Sequence, residues 1–247
     1  MFQLFLIAAL AIFFFTIERV CPGRELPQSS HWYLRALLLN GAQFSLVFLA
    51  GATWNIWFQN WSLFHLSSFT HPLFEGFFYW FIGTFIFYWW HRLRHTRGFW
   101  LVFHQVHHSP TRVETLTAFY KHPLEMIVNS LMISALIFLF FGGSIESAAW
   151  YNVFAVAGEF LYHVNIRTPR WFGYFIQRPE QHSIHHQFGV HSFNFGDITW
   201  WDRLFGTFKE AAEFTQTCGF EKEKEENLIS MLTFHDVNHP PHVPRNS

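Results

Sequence analysis

Three long apolar runs decide what this chain can become. Residues 1–17, 34–52 and 74–90 each approach the roughly 20 residues a helix needs to cross a hydrocarbon core. With 51% of the 247 residues hydrophobic, 21% aromatic and 13% charged, the chain is too apolar for an ordinary soluble domain. The expected fold is all-α, an integral membrane helical bundle of about four to five membrane helices. Two further runs, 126–141 and 148–162, are short for full spans and leave a shallow hairpin as an alternative. The first run lacks a basic n-region, and the Cys21-Pro22-Gly23-Arg24 that follows is no small-residue cleavage site, so it reads as a retained helix and not a signal peptide.

Basic residues give the orientation. No Lys or Arg lies between Arg35 and Arg92 or between Lys121 and Arg167. The positive-inside rule then places residues 18–35, 91–125 and everything after Arg167 in the cytoplasm. The N-terminus and the loops 53–73 and 142–147 fall outside.

Three histidine clusters lie in the cytoplasmic segments: His91 and His95 in HRLRH, His104, His107 and His108 in HQVHH, and His182, His185 and His186 in HSIHH. On helices, spacings of i, i+3 and i+4 put the imidazoles of each cluster on one face, within about 100°. Eight converging nitrogens are too many for one four- to six-coordinate ion, so the economical reading is a two-metal site in a cytoplasmic, histidine-rich helical cap. The first pair continues the helix that starts near Phe74, with Gly98 as its breaker. The second cluster ends a short helix, Pro110 favouring an extended Ser109. The third opens a helix, with Pro179 in the first turn and Glu180 near the positive end of the dipole.

His163 closes the fifth apolar run, and Glu159 lies four residues earlier on the same helical face. That pair could add a ninth nitrogen and a carboxylate, as ligand or as outer hydrogen-bond acceptor. His122 is open among ligand, outer support and helix cap, and His191 is at most outer support. His31, His65 and His71 read as packed or interfacial residues. His235, His239 and His242 lie in a proline-rich polar tail, where adventitious metal binding or disorder is the simpler reading. Residues 221–226 read as a solvated charged face.

There is no H-E-x-x-H helix, P-loop, dinucleotide fingerprint or G-x-S-x-G elbow, so electrons for any redox chemistry must come from another protein. Cys21 and Cys218 are isolated thiols on the reducing side and indicate no disulfide. A formal net charge of −1 and no basic block exclude nucleic acid as a partner.

The order HRLRH, HQVHH, solitary His163 and HSIHH, then Asn194-Phe195-Gly196 and the segment Trp201-Asp202-Arg203-Leu204-Phe205-Gly206-Thr207, resembles the fatty acid hydroxylase superfamily, also called the sterol desaturase family. His107-His108-Ser109-Pro110, Leu116-Thr117-Ala118 and His122-Pro123-Leu124-Glu125 carry the same resemblance. It implies three parts: N-terminal membrane helices (1–73), a catalytic domain (74–209) and a polar C-terminal tail (210–247). It further implies an oxygen-dependent, non-haem di-iron enzyme that hydroxylates or desaturates an acyl chain, sterol, carotenoid or ether lipid from the bilayer. The implied cofactors are two iron ions, with O2 as co-substrate. The implied electron donor is a separate cytochrome b5-like protein, ferredoxin or flavin reductase, since no cytochrome b5 domain is fused here.

Carried over by position, the metal ligands are His91, His95, His104, His107, His108, His182, His185 and His186, with His163 as the usual extra one; Asn194 is a candidate for outer support. Glu159 stands where such hydroxylases often carry a further histidine. The aromatic residues of 74–90 are candidate walls of a lipid channel, and Asp202 and Arg203 read as a structural pair. Outside the resemblance, a two-zinc hydrolase or a metal-ion transporter could use the same clusters, although transit ligands should be spread across membrane depth.

Overall fold

The apolar runs become helices because no proline interrupts them, and the punctuation sits at their ends. The computed structural model describes residues 1–65 and 71–238. α1 (Phe2–Val20) and α2 (Trp32–Ala52) are followed by the short α3 (Trp54–Gln59) and by α4 (Pro72–Arg94). A single turn, α5 (Arg97–Phe99), leads into a wide π turn (Trp100–His104) and α6 (Gln105–His108). α7 (Pro123–Ser134) runs on through a second π turn (Ala135–Phe140), and α8 (Ile145–His163) returns. Short helices α9 (Pro179–His185), α10 (Thr199–Leu204), α11 (Lys222–Glu225) and α12 (Leu228–Leu232) complete a head region at one end of the bundle. Among the described residues there is no β-strand, only isolated bridges pairing Ile176 with Ile198 and Gln187 with Cys218.

α4 and α7 start in the same way. A proline occupies the first turn, where a missing N–H costs nothing, and the preceding histidine, His71 or His122, accepts the N–H of Leu73 or Leu124. His122 is therefore a helix cap, with its Nε2 on the Leu232 carbonyl at 3.2 Å and its ring stacked on Phe234. His31 also sits at a helix start, preceding α2 in the left-handed conformation (φ 51°).

α8 packs along α4 and carries α1 on another side, while α2 lies against α7. Gly76 sets the α4–α8 spacing, since a Cβ there would lie 2.5 Å from Cβ of Trp150 and 2.8 Å from the Ser147 carbonyl oxygen. The segments Phe2–Val20, Trp32–Ala52 and Pro123–Phe140 are long and apolar enough to cross a membrane. Residues 123–125 thus extend the fourth run at its start into a candidate span. α4, with 23 residues, and α8, with 19, are not among the three; aromatic side chains fill α4, and Glu146, Asn152 and Glu159 interrupt α8. α7 and α8 do not pack chiefly on each other. Each packs on a different partner, and a cavity opens between them. Phe5, Ile12, Leu37, Leu38 and Phe44 turn outward and are exposed, as in a bundle solvated by hydrocarbon.

Four local expectations need correction. α4 ends at Arg94, before Gly98, because the Thr96 hydroxyl donates to the Leu93 carbonyl and Thr96 starts the next turn. Ser109 is helical (φ −72°, ψ −34°) despite Pro110, held by its hydroxyl on Val106 and by the Phe220 N–H on its carbonyl. Glu225 is not on a solvated face: it is buried against Arg35, Ser29 and Thr111. Asp202 and Arg203 do not pair; Arg203 stacks on Phe208 at 3.7 Å, and Asp202 turns to the backbone. Beyond residue 210, Phe220, Met231 and Val237 are buried with Trp32, Val106 and Tyr120. His235 gives its carbonyl oxygen to Gln105, whereas His239 and His242 lie outside the described residues.

Candidate dinuclear metal centre

The histidine clusters of the sequence are not the histidine groups of the structure. His91, His95, His104, His108 and His185 converge as one group, and His107, His163, His182 and His186 as a second, the ligand atoms within each lying within 4.8 Å of one another. Each i, i+4 pair (91/95, 104/108, 182/186) stays within a group, and each i+3 residue, His107 or His185, crosses to the other. Successive helical residues point about 100° apart, so adjacent histidines serve two neighbouring sites. His163, at the end of α8, completes the second set. The π turn carries His104, the first residue of its cluster, ahead of α6.

Hydrogen bonds fix the rings from behind. His91 Nδ1 donates to the Phe195 carbonyl at 2.7 Å and His185 Nδ1 to the Phe193 carbonyl at 2.8 Å. His104 Nδ1 faces the Glu125 carboxylate at 3.4 Å, and Glu125 is itself held by the buried Arg94. In each case Nε2 is left buried without a hydrogen-bond partner among the described residues, and both nitrogens of His95 and His108 are left likewise. In the second group His182 Nε2 is 3.1 Å from Nε2 of both His163 and His186, and His107 Nε2 is 3.4 Å from His163 Nε2. Imidazole nitrogens about 2.1 Å from a common ion stand about 3.0–3.4 Å apart, so this spacing fits ligands around one metal. Buried orphan nitrogens in such number are costly unless an ion satisfies them.

The protonation state agrees. Burial, reinforced by neighbouring imidazoles, holds His104, His107, His108, His182 and His186 well below the ordinary histidine range, and burial takes His185 down to about 3. Neutral imidazole is the form that binds metals.

Three further candidates lie around the two groups. Glu159 is outside both groups; its carboxylate pairs with Lys121 at 2.8 Å, and its backbone carbonyl accepts His163 Nδ1 at 2.8 Å. His191 packs against His108 and Trp100, beside the first group but not in it. Asn194, left-handed at φ 56°, supports the site at one remove: its side chain bonds Gln181 and Lys209 and so pins the strap whose neighbours Phe193 and Phe195 orient His185 and His91.

Sequence reasoning passed over Arg94, Glu125 and the true role of Asp202, which accepts the N–H groups of Phe195 and Gly196 at 2.8 Å each. Burial pushes the Asp202 carboxyl up to about 6. An acidic residue beside an apolar run, as Glu125 is, needs a partner, and that signal was legible.

Both groups open onto a cavity of about 480 Å³ lined by α1, α2, α4, α7 and α8, which reaches His91 and His104 of one group and His107, His163 and His182 of the other. Of the aromatic residues in the run 74–90, Trp80 and Phe87 line it.

Residues 76–207 match the family model for fatty acid hydroxylase. The chain is 30% identical over 123 residues to sphinganine C4-monooxygenase 2 of Arabidopsis thaliana, covering 48% of each chain. It is 28% identical over 165 residues, 66% of this chain and 43% of the other, to fatty acid hydroxylase domain-containing protein 2 of Macaca fascicularis. The matched segments thus span less than half of either relative. No solved structure matches the chain. With its histidine order, its paired nitrogen groups and a match over more than half its length, the chain belongs to the fatty acid hydroxylase family.

Proposed function

We propose that this protein is a membrane-embedded di-iron oxygenase that uses O2 and electrons from a separate donor to hydroxylate or desaturate a C–H bond of a lipid. The observation that carries this reading is the cavity, which joins both histidine groups to helices with hydrocarbon-facing surfaces. A soluble substrate would have no use for such a route. The name of the plant relative, a monooxygenase, points the same way.

Nine histidines would hold the irons: five from the first group and four from the second. The chemistry such a pair supplies when bound is the reductive activation of dioxygen needed to oxidise an unactivated C–H bond. The chain's own residues supply the rest. Phe193, Phe195 and Glu125 hold the proton on Nδ1 of His185, His91 and His104 and keep Nε2 inward. Burial of the ligands keeps bulk water from the reacting centre. The cavity walls on α4, α7 and α8 aim the lipid carbon. Acyl chain, sterol, carotenoid and ether lipid all remain substrates of this class, and the donor would be a cytochrome b5-like protein, ferredoxin or flavin reductase.

The distribution of Lys and Arg supports an orientation with the N-terminus outside and the metal centre at the cytoplasmic face. Both groups gather at one end of the bundle, which favours an enzyme over a transporter, whose ligands would be spread through membrane depth.

Mössbauer spectroscopy and metal quantitation on protein grown in iron-57 test the proposal, together with the His107→Ala, His185→Ala double variant. The expected result is about two coupled high-spin irons per chain, lost in the variant. Stoichiometric zinc with no uptake of iron after anaerobic ferrous reconstitution would overturn it and favour a two-zinc hydrolase.

A further inference from the structure

The charged side chains on the cavity wall are not scattered along it. Arg94, Lys121, Glu159 and Asp197 all sit at the histidine end, whereas Leu4, Val47, Ile137 and Ala148 line the part farther along the helices. From Glu159 to Ala148 the cavity follows α8 for eleven residues, about 16 Å. Placing charge beside a hydrocarbon-lined space is expensive unless it is paired or used. Arg94 is spent on Glu125, behind the first group.

The other three form a cluster with Tyr162. Lys121 Nζ donates to Glu159 at 2.8 Å, and the Tyr162 hydroxyl lies against both the Glu159 and the Asp197 carboxylates. Two carboxylates thus face one ammonium. A carboxylate accepts at about four positions, so this cluster has acceptor capacity beyond its internal bonds. The Glu159 side chain is 22% accessible although it lies on an internal helix, and the space it faces is the cavity. The cluster is also next to the metal ligands: the Tyr162 ring lies 4.7 Å from the His182 ring, and Glu159 is one turn from His163. Of the wall's amides, Asn40 donates to the Ala36 and Leu116 carbonyls and Asn129 accepts from Trp90, and none of them carries the charge that the carboxylate cluster does.

We propose that Asp197 and Glu159 bind a hydrogen-bond-donating group of the lipid, a hydroxyl or an amine, beside the metal pair, with the hydrocarbon chain lying along α8 toward Ala148. The oxidised carbon then lies within a few bonds of that polar group, and lipids without a donor at one end are poor ligands. This assignment rests on the lipid-oxygenase reading and narrows it from any bilayer lipid to one with a donor-bearing head.

Binding to the full-length, purified protein tests it, read by native mass spectrometry and ligand-induced thermal shift with four probes of one chain length: octadecan-1-ol, octadecylamine, methyl stearate and octadecane. The alcohol and the amine should bind on the order of tenfold more tightly than the ester or the alkane, as a hydrogen bond to a charged group predicts. Asp197→Leu should erase that preference while leaving alkane binding unchanged. If Asp197→Leu does not fold, Asp197→Asn serves, and it should weaken the amine more than the alcohol because it removes charge and keeps an acceptor. Equal binding of alkane and alcohol by the unmodified protein, or an undiminished preference in Asp197→Leu or Asp197→Asn, would overturn the assignment. Neither readout requires turnover. A donor preference in a protein that takes up no iron would leave this assignment standing and remove the oxygenase reading, and iron with no donor preference would do the reverse.

Discussion

Glu125 shows how much of a metal site can rest on a residue that never touches the metal. Its carboxylate is buried between Arg94 and His104, with side-chain exposures of 6% for Arg94 and 0% for Glu125. Removing one partner of a buried ion pair strands the other, so Glu125→Ala should cost about 3–5 kcal/mol. It should also weaken metal binding by about 10–100-fold through the loosened His104 ring. Chemical denaturation of the metal-free protein and metal competition titration read the two effects separately; a variant unchanged in both would refute the role. The two ligand groups also differ in reserve. His95→Ala leaves four nitrogens in the first group, a complete tetrahedral set, whereas His163→Ala leaves three in the second. After dialysis against a chelator, His163→Ala should therefore retain about one ion fewer per chain than His95→Ala; equal retention would mean that the groups share their ligands. The nine histidines themselves were legible from spacing and family resemblance, but their division was not. Spacing says that side chains share a face, while the crossing of His107 and His185 depends on how three short helices approach one another.

At the level of the helices, the sequence announced starts better than ends. Pro72, Pro123 and Pro179 each mark a first turn because proline has no N–H to lose there, a purely local fact. The end of α4 and the conformation of Ser109 after α6 were misread because they are settled by side-chain or distant partners, Thr96 on Leu93 and Phe220 on Ser109. Helix pairing was equally invisible: nothing local says that α8 belongs to α4 and α1, with α7 on α2. Gly76 carries that information in three dimensions. Gly76→Ala would put a methyl group 2.5 Å from Trp150 and 2.8 Å from the Tyr151 nitrogen, so α4 and α8 must separate. A loss of about 1–3 kcal/mol is expected, the usual penalty of overpacking. Gly41, on α2, has nothing within 4 Å of its Cβ position, so Gly41→Ala should be neutral or stabilise by up to about 1 kcal/mol through helix propensity. Thermal unfolding in detergent distinguishes them, and equal behaviour of the two variants would contradict close α4–α8 packing.

For the molecule as a whole, the centre makes stability conditional on pH in a way that metal should relieve. Six histidines of the head region, His104, His107, His108, His182, His185 and His186, titrate below their ordinary 6.5 when folded, His185 at about 3. A depressed histidine pKa means that the unfolded chain binds more protons below pH 6.5. The contribution of these groups is therefore complete above 6.5 and is lost as pH falls from there toward the folded values. Each can contribute up to about 1.4 kcal/mol per pH unit, so six together approach about 8 kcal/mol per unit, comparable with the whole stability of a typical domain. Two carboxyls act in the opposite sense. Asp197, pushed up to about 7, and Asp202, at about 6, favour folding at low pH and lose that contribution as pH rises through those values. Two groups against six cannot reverse the acid slope, so the metal-free protein should unfold within about one to two pH units below 6.5. Ions bound to the neutral imidazoles stabilise only the folded state and compete with protons, which should shift the transition to lower pH. Tryptophan fluorescence followed from pH 8 to pH 4, with and without ferrous iron, measures both. A metal-free protein whose stability is flat between pH 7 and pH 5 would show that these histidines are not buried as neutral imidazoles, and with that the nine-nitrogen centre would lose its physical basis.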